Sequence, residues 1–368
     1  MSGMEGILGQ SHAIHLLESA LARQRLHHGY ILHGPPGVGK FTTAQAFARM
    51  LLCLDPTGQV DGAPRACGRC QACGLASTGN HPDEHVIRKE LARYSDDARV
   101  RQQKLLNIPV AVLREHLLEP VALAPRIGRH KVFIVDEAEL LQDIAQNLLL
   151  KTLEEPPPGT FILLVTASED RLLPTIRSRC HRVPFVPLSD RIIAGHLDQH
   201  TEPLDAEQRA WLIDFAAGSL GLAYLALRFE LFTWATTVLP AIDAMTEGQF
   251  PSELGGQMKE MVEAFAKRWV DENEAASKDA ANKQAVRLLW SMISQHARTK
   301  LRVRANAPDT HQPDAAEFQL EPWLATINTL AVCQQQIDSN VNLGVVMDHA
   351  VSLMYRALAN RESILLGV

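Results

Sequence analysis

The clearest chemistry in this chain lies in Gly34-Pro35-Pro36-Gly37-Val38-Gly39-Lys40. Two glycines with four residues between them, followed by lysine, form a loop whose backbone N–H groups can turn inward around a phosphate. The lysine adds a mobile positive charge. The position after the lysine ordinarily carries a hydroxyl that helps hold magnesium, but here it is Phe41. A phenyl ring cannot ligate a hard cation. Thr42 comes one residue late, roughly 100° around a helix from the required direction. The pattern predicts a phosphate loop with a damaged metal site.

A second constellation is Lys131-Val132-Phe133-Ile134-Val135-Asp136-Glu137. An apolar strand ending in Asp-Glu sets two carboxylates at the C-terminal edge of a parallel sheet, where such sheets bind ligands. In phosphate-loop ATPases the first carboxylate helps hold magnesium and the second orients the attacking water. Alone, such a pair is equally well explained as a helix cap. Together with Lys40 it predicts a nucleotide site.

The third is Cys67-Gly68-Arg69-Cys70-Gln71-Ala72-Cys73. Thiolates three residues apart on a glycine-containing knuckle can converge on one tetrahedral ion. A fourth ligand must come from elsewhere: Cys53 is favoured and His81 is the alternative. No base or leaving-group machinery lies nearby in sequence, so the expected ion is a structural zinc holding a loop too poor in apolar residues to fold alone.

The elements that must position these groups follow from periodicity. Residues 10–26 read as an amphipathic helix, then Tyr30-Ile31-Leu32-His33 as a buried strand leading into the phosphate loop. Ala44, Phe47, Ala48 and Leu51 then recur at helical spacing, which aims a helix N-terminus at the anion. Val86-Ile87 reads as a second strand, and the mixed charges of 88–106 as a solvated insertion, the alternative being a DNA- or partner-facing excursion. Ile108–Leu118 reads as a helix. The next, Leu140–Leu153, is expected to bury Leu141, Ile144, Leu148 and Leu149 and to stop at Glu154-Glu155-Pro156-Pro157-Pro158. Phe161–Thr166 reads as a strand buried on both faces and Arg182–Val186 as a fifth strand. From about residue 188 only helical periodicity remains, interrupted by Gly218-Ser219-Leu220-Gly221, Gly255-Gly256 and the polar stretch Asn306–Gln319.

The bulk numbers narrow the function. At 368 residues the chain is long enough for two or three domains, and a net charge of −6 argues against wrapping nucleic acid with its own surface. It has no run of eighteen apolar residues and no signal-peptide pattern at its start, so it is expected to be cytoplasmic, without a membrane partner. Three of its six cysteines cluster, which in such a compartment favours metal over disulfides.

Taken together, the phosphate loop, the cysteine cluster, Asp136-Glu137-Ala138, Leu150-Lys151-Thr152-Leu153-Glu154-Glu155-Pro156 and Ser178-Arg179-Cys180 resemble the clamp-loader branch of the AAA+ ATPases. The resemblance is dense from Gly9 to Val186. Afterwards it rests on helicity and on Asn340-Val341-Asn342-Leu343. It implies an α/β AAA+ P-loop domain with a parallel sheet and a zinc-binding insertion over 1–187, a small helical lid over 188–229, and an all-α collar over 230–368.

The resemblance further implies zinc on Cys53, Cys67, Cys70 and Cys73, and a nucleotide site of Gly34, Gly37, Gly39, Lys40, Thr42, Asp136 and Glu137, with Thr166 as the sensor. Arg179 would be the arginine finger, acting on the ATP of a neighbouring subunit. A guanidinium brought across an interface neutralises the charge growing on the transferred phosphoryl group. The implied partners are the gamma/tau motor and delta subunits of a DNA polymerase III clamp loader and, through that complex, the sliding clamp and primed DNA. Motor subunits carry Ser or Thr at the position of Phe41 and an arginine at that of Gly221. Weak or absent ATP or ADP binding, and no efficient hydrolysis, are therefore expected. Two other readings are an active motor ATPase, with Thr42 or a water replacing the missing ligand, and a zinc-stabilised DNA-binding module.

Overall fold

The computed structural model describes residues 3–60, 63–102, 107–273, 277–305 and 313–360, and it divides into two compact units, Met1–Leu225 and Ala226–Val368. The first is built on strands β1 (Gly29–His33), β4 (Glu84–Ile87), β5 (Lys131–Val135), β6 (Thr160–Thr166) and β7 (His181–Pro184). They form one sheet in the order β4-β5-β6-β1-β7. Every pairing is parallel. A separate antiparallel ribbon, β2 (Thr57–Val60) with β3 (Ala63–Arg65), leaves the end of the first crossover helix.

The strands read as unbroken apolar runs because helices cover both faces of the sheet. Successive side chains alternate between two cores. Tyr30, Leu32, Val132, Ile134 and Leu163 join Leu17 and Phe47 on one side. Ile31, Phe133, Val135, Ile162 and Leu164 join Leu117, Leu149 and Leu153 on the other. All five strands of the sheet run the same way, so their C-terminal ends meet at one edge, and the chemistry collects there.

Several expected boundaries shift, each for a local reason. The first helix is Ser11–Ala22 and ends before Gln24, whose φ of 53° is left-handed. Gln10 stays outside it and is buried, its amide donating to Val38 O and Val186 O and accepting from Val186 N. Over 108–121, a short α-helix, Val110–Leu113, runs into a π-turn, Arg114–Leu118. The expected solvated insertion contains a 3-10 turn, Lys89–Tyr94, and a helical turn, Ala98–Arg101; residues 103–106 lie outside the described residues.

The helix expected over Leu140–Leu153 is Asp143–Glu154, and its rotation differs from the expectation. Ile144 and Leu148 are exposed, at 67% and 37%, while Ala145, Gln146, Leu149, Thr152 and Leu153 are buried. Gln146 explains this. Its amide donates to Leu141 O and Arg171 O and accepts from Leu173 N, so all its bonds are made inside. A fully bonded amide can take an interior position that periodicity reserves for an aliphatic residue.

Helices Asp190–His200, Ala206–Ala216 and Leu220–Arg228 follow the sheet. The second unit is helical: Leu231–Met245, Leu254–Glu272, Lys278–Ala305, Pro313–Asp338 and Leu343–Asn360. Gly255-Gly256 does not break it. Both lie inside the Leu254–Glu272 helix, and a Cβ on Gly255 would meet Asp348 Cα at 3.1 Å, so the glycine permits close helix packing. Part of the expected polar break, 306–312, lies outside the described residues, and a helix begins at Pro313. Among the described residues no single helix is long and apolar enough to cross a membrane.

Candidate functional site

The loop after β1 turns on three glycines with positive φ: Gly34 at 142°, Gly37 at 71° and Gly39 at 100°. A Cβ on Gly34 would collide with Phe185 O, so the loop can approach the sheet only with hydrogen there. Lys40 opens the helix Lys40–Leu52 and is 6% exposed. Its ammonium donates to Gly34 O at 2.6 Å and Pro35 O at 2.5 Å. Burial lowers its pKa to about 8, against the raising pull of Glu139 and Asp136. An anion in the loop would compete with those two carbonyls for the ammonium and restore its full charge.

A cavity of about 570 Å³ opens here, lined by Gly37, Gly39, Lys40, Phe41, Thr42, Asp136, Glu137, Glu139 and Thr166, among others. That size suits a small-molecule ligand. Seven of the eight residues expected at the nucleotide site therefore meet at this cavity. Gly34, the eighth, enters through its carbonyl on Lys40. Thr42 is exposed on the rim, whereas Thr43 turns inward and donates to Gly39 O at 2.8 Å. Thr166 is buried and folded into a tight turn, exchanging hydrogen bonds with Ser168 O and N at 3.1 Å.

The sequence reading missed two cations. Arg88 Nε lies 3.2 Å from Asp136 Oδ2, and the Arg88 guanidinium lies over the Phe41 ring, 4.2 Å from its centroid. Lys89 Nζ lies 2.7 Å from Glu137 Oε2. Burial raises the Asp136 pKa, and Arg88 opposes that rise. The clue was in the strand order: with Ile87 beside Val135 in a parallel register, the next residues, Arg88 and Asp136, emerge together. Linear sequence made 88–106 look like a solvated run because these partners are 48 residues apart.

A helical turn closes over the phosphate loop. Gly221 N donates to Gly37 O at 3.0 Å, and a Cβ on Gly221 would meet Gly37 Cα at 2.8 Å. Ser219 Oγ accepts from Leu222 N at 3.0 Å and fixes that turn.

The four sulfurs of Cys53, Cys67, Cys70 and Cys73 all lie within 4.8 Å of one another. The pairs Cys53–Cys70 and Cys67–Cys73 are each 4.0 Å apart. A tetrahedral ion with Zn–S bonds near 2.3 Å requires edges of about 3.8 Å, so the set fits zinc. Backbone N–H groups of Cys67, Cys70 and Cys73 donate to the sulfurs of Cys53, Cys67 and Cys70. Cys53, which ends the Lys40–Leu52 helix, thus completes the set. His81 is outside it: this buried imidazole accepts from Asp83 N at 3.1 Å.

Arg179 is not among the described residues lining the cavity. It is partly exposed, 2.7 Å from Glu154 Oε1, and donates to Thr175 O at 2.9 Å. Neighbouring Cys180 is partly buried against Gly29, where a Cβ would meet its sulfur at 2.8 Å. Burial pushes that thiol up to about 12, which disfavours the reactive thiolate.

Comparison with known proteins bears on the family. Residues 9–189 match the family model described as DNA polymerase III, delta subunit. The delta' subunit of Pseudomonas aeruginosa is 39% identical over 153 residues, covering 42% of this chain and 41% of that protein. The delta' subunit of Escherichia coli is 35% identical over 211 residues, 57% of each chain. The tau/gamma subunit of Haemophilus influenzae is 34% identical over 218 residues, 58% of this chain and 29% of that one. The chain thus spans from about three-tenths to under three-fifths of the relatives it matches. A parallel-sheet domain carrying the phosphate loop and the Asp-Glu pair, with 32–39% identity to delta' subunits, places residues 9–189 in the clamp-loader family of DNA polymerase III subunits.

Proposed function

We propose that the chain is a non-motor clamp-loader subunit of the delta' type. It would assemble with gamma/tau and delta subunits to load the sliding clamp on primed DNA, and bring Arg179 to the ATP of a neighbour. Identity alone does not separate motor from non-motor, because relatives of both kinds match at 34–39%. The observation that carries the reading is Phe41, which stands in the metal-holding position with a guanidinium between its ring and Asp136. The tight contact of Gly221 with Gly37 adds to it, since no side chain fits where a motor subunit carries its lid arginine.

Arg179 fits action on a neighbour. It belongs to the surface, outside its own cavity, and the Glu154 carboxylate that holds it ends the helix bearing the exposed Ile144 and Leu148. Exposed aliphatics on the helix whose last residue holds the cation suit a docking edge. Zinc on the four cysteines would hold the excursion between the Lys40–Leu52 helix and β4, a structural role in a closed site. The helices of 230–368 serve as the oligomerisation collar.

The test is to purify the chain, measure ATP turnover alone, and repeat with a gamma/tau-type motor subunit. A stable complex, with turnover only in its presence, is expected. Motor-like turnover by the isolated chain would instead favour the ATPase reading.

A further inference from the structure

Where a motor subunit sets hydroxyl, magnesium and carboxylate in a row, this chain sets a phenyl face, a guanidinium and a carboxylate. Phe41, Arg88 and Asp136 form that row, at 4.2 Å from ring centroid to guanidinium carbon and 3.2 Å from Nε to Oδ2; Phe41 and Asp136 line the cavity, and Arg88, which is not among the lining residues, touches both. We propose that the Arg88 guanidinium takes the place of the divalent cation, so that the cavity holds a nucleoside di- or triphosphate without any metal.

Three features support this. A guanidinium is charged at every accessible pH and presents planar donors suited to phosphate oxygens. It is attached to the chain, so it does not need the hydroxyl that Phe41 lacks, and the ring that excludes magnesium is itself a good face for a guanidinium. The remaining cradle is intact: the cavity of about 570 Å³, the glycine turns and Lys40 are all in place. Lys89 meanwhile occupies the Glu137 carboxylate at 2.7 Å. That contact competes with orienting a water, so cleavage of a bound nucleotide is slowed. A site merely degraded by lost selection would not need a cation stacked and paired at the position of the missing one.

The inference rests on the non-motor reading for the absence of turnover, but it fails differently. The experiment titrates a fluorescent ADP analogue, and unlabelled ATP in competition, into the chain in excess EDTA and again in excess magnesium. Equal affinity in both supports the proposal. So does a drop of roughly ten- to a hundredfold in EDTA for Arg88→Ala, the loss of one charge-assisted contact. The double variant Phe41→Ser/Arg88→Ala is expected to bind only with magnesium. Binding by the unaltered chain that requires magnesium overturns the proposal, as does no binding in either condition. If Arg88→Ala fails to fold, the comparison on the unaltered chain still decides. In either overturning case, intact stimulation of a motor subunit would leave the proposed function standing.

Discussion

At β4 a single carboxylate illustrates how burial sets a pH dependence. Glu84 Oε2 is buried without a hydrogen-bond partner, and burial raises the pKa to about 7 against the lowering effect of Arg49. Between the ordinary carboxylate value and about 7, the folded chain binds more protons here than the unfolded chain. Stability from this group is therefore present at low pH and declines as pH rises through about 7. Replacing Glu84 with Gln removes the penalty of charging the buried group. Thermal or urea unfolding at pH 8 should show the Glu84→Gln variant more stable by on the order of 1–2 kcal/mol, with the difference vanishing near pH 4. A gain that persisted unchanged at pH 4 would trace to packing instead.

Two elements make predictions of their own. The turn at Gly221 sits so close to the phosphate loop that a methyl group would strike Gly37 Cα at 2.8 Å. Backbone cannot yield there as a flexible side-chain end would. Gly221→Ala should cost about 1–3 kcal/mol by urea unfolding; an unchanged midpoint would mean that the turn readily lifts off. The cysteine knuckle is expected to carry one equivalent of zinc. Cys53→Ser should lower the metal content of the purified chain and His81→Ala should leave it at one, because only Cys53 shares the cluster. The reverse result, read by elemental analysis, would return His81 to the ligand set.

These elements also mark what the sequence could reveal. The glycine loop, the Asp136-Glu137 pair and the cysteine knuckle were legible because each is local, its chemistry written within a few residues. Arg88 and Lys89 were not, since their partners lie one strand away and only the β4–β5 register brings them together. Ile144 and Leu148 were assigned inward because a bonded Gln146 is indistinguishable, in a pattern, from a surface glutamine. Gly255 looked like a break because its role is to admit Asp348 from another helix.

The molecule as a whole combines a parallel-sheet unit, whose phosphate loop lacks the metal hydroxyl, with a unit of five long helices among the described residues. In the second unit Asp243 joins the Leu231–Met245 and Lys278–Ala305 helices, accepting from His296 Nε2 and Lys300 Nζ at 2.8 Å each. Those contacts pull the Asp243 pKa down despite its burial, so the tie holds at neutral pH. Under the proposed function such a molecule belongs in an assembly whose other members retain the metal site, with Arg179 acting on a neighbour's ATP.

The most direct measurement is ATP turnover by a motor subunit complexed with this chain, compared with the same complex carrying Arg179→Ala. Complex formation should be unchanged by gel filtration, while hydrolysis at the site facing this chain falls by on the order of a thousandfold, the scale of a lost arginine finger. Equal turnover from two equally stable complexes would contradict a role for Arg179 at a neighbour's ATP.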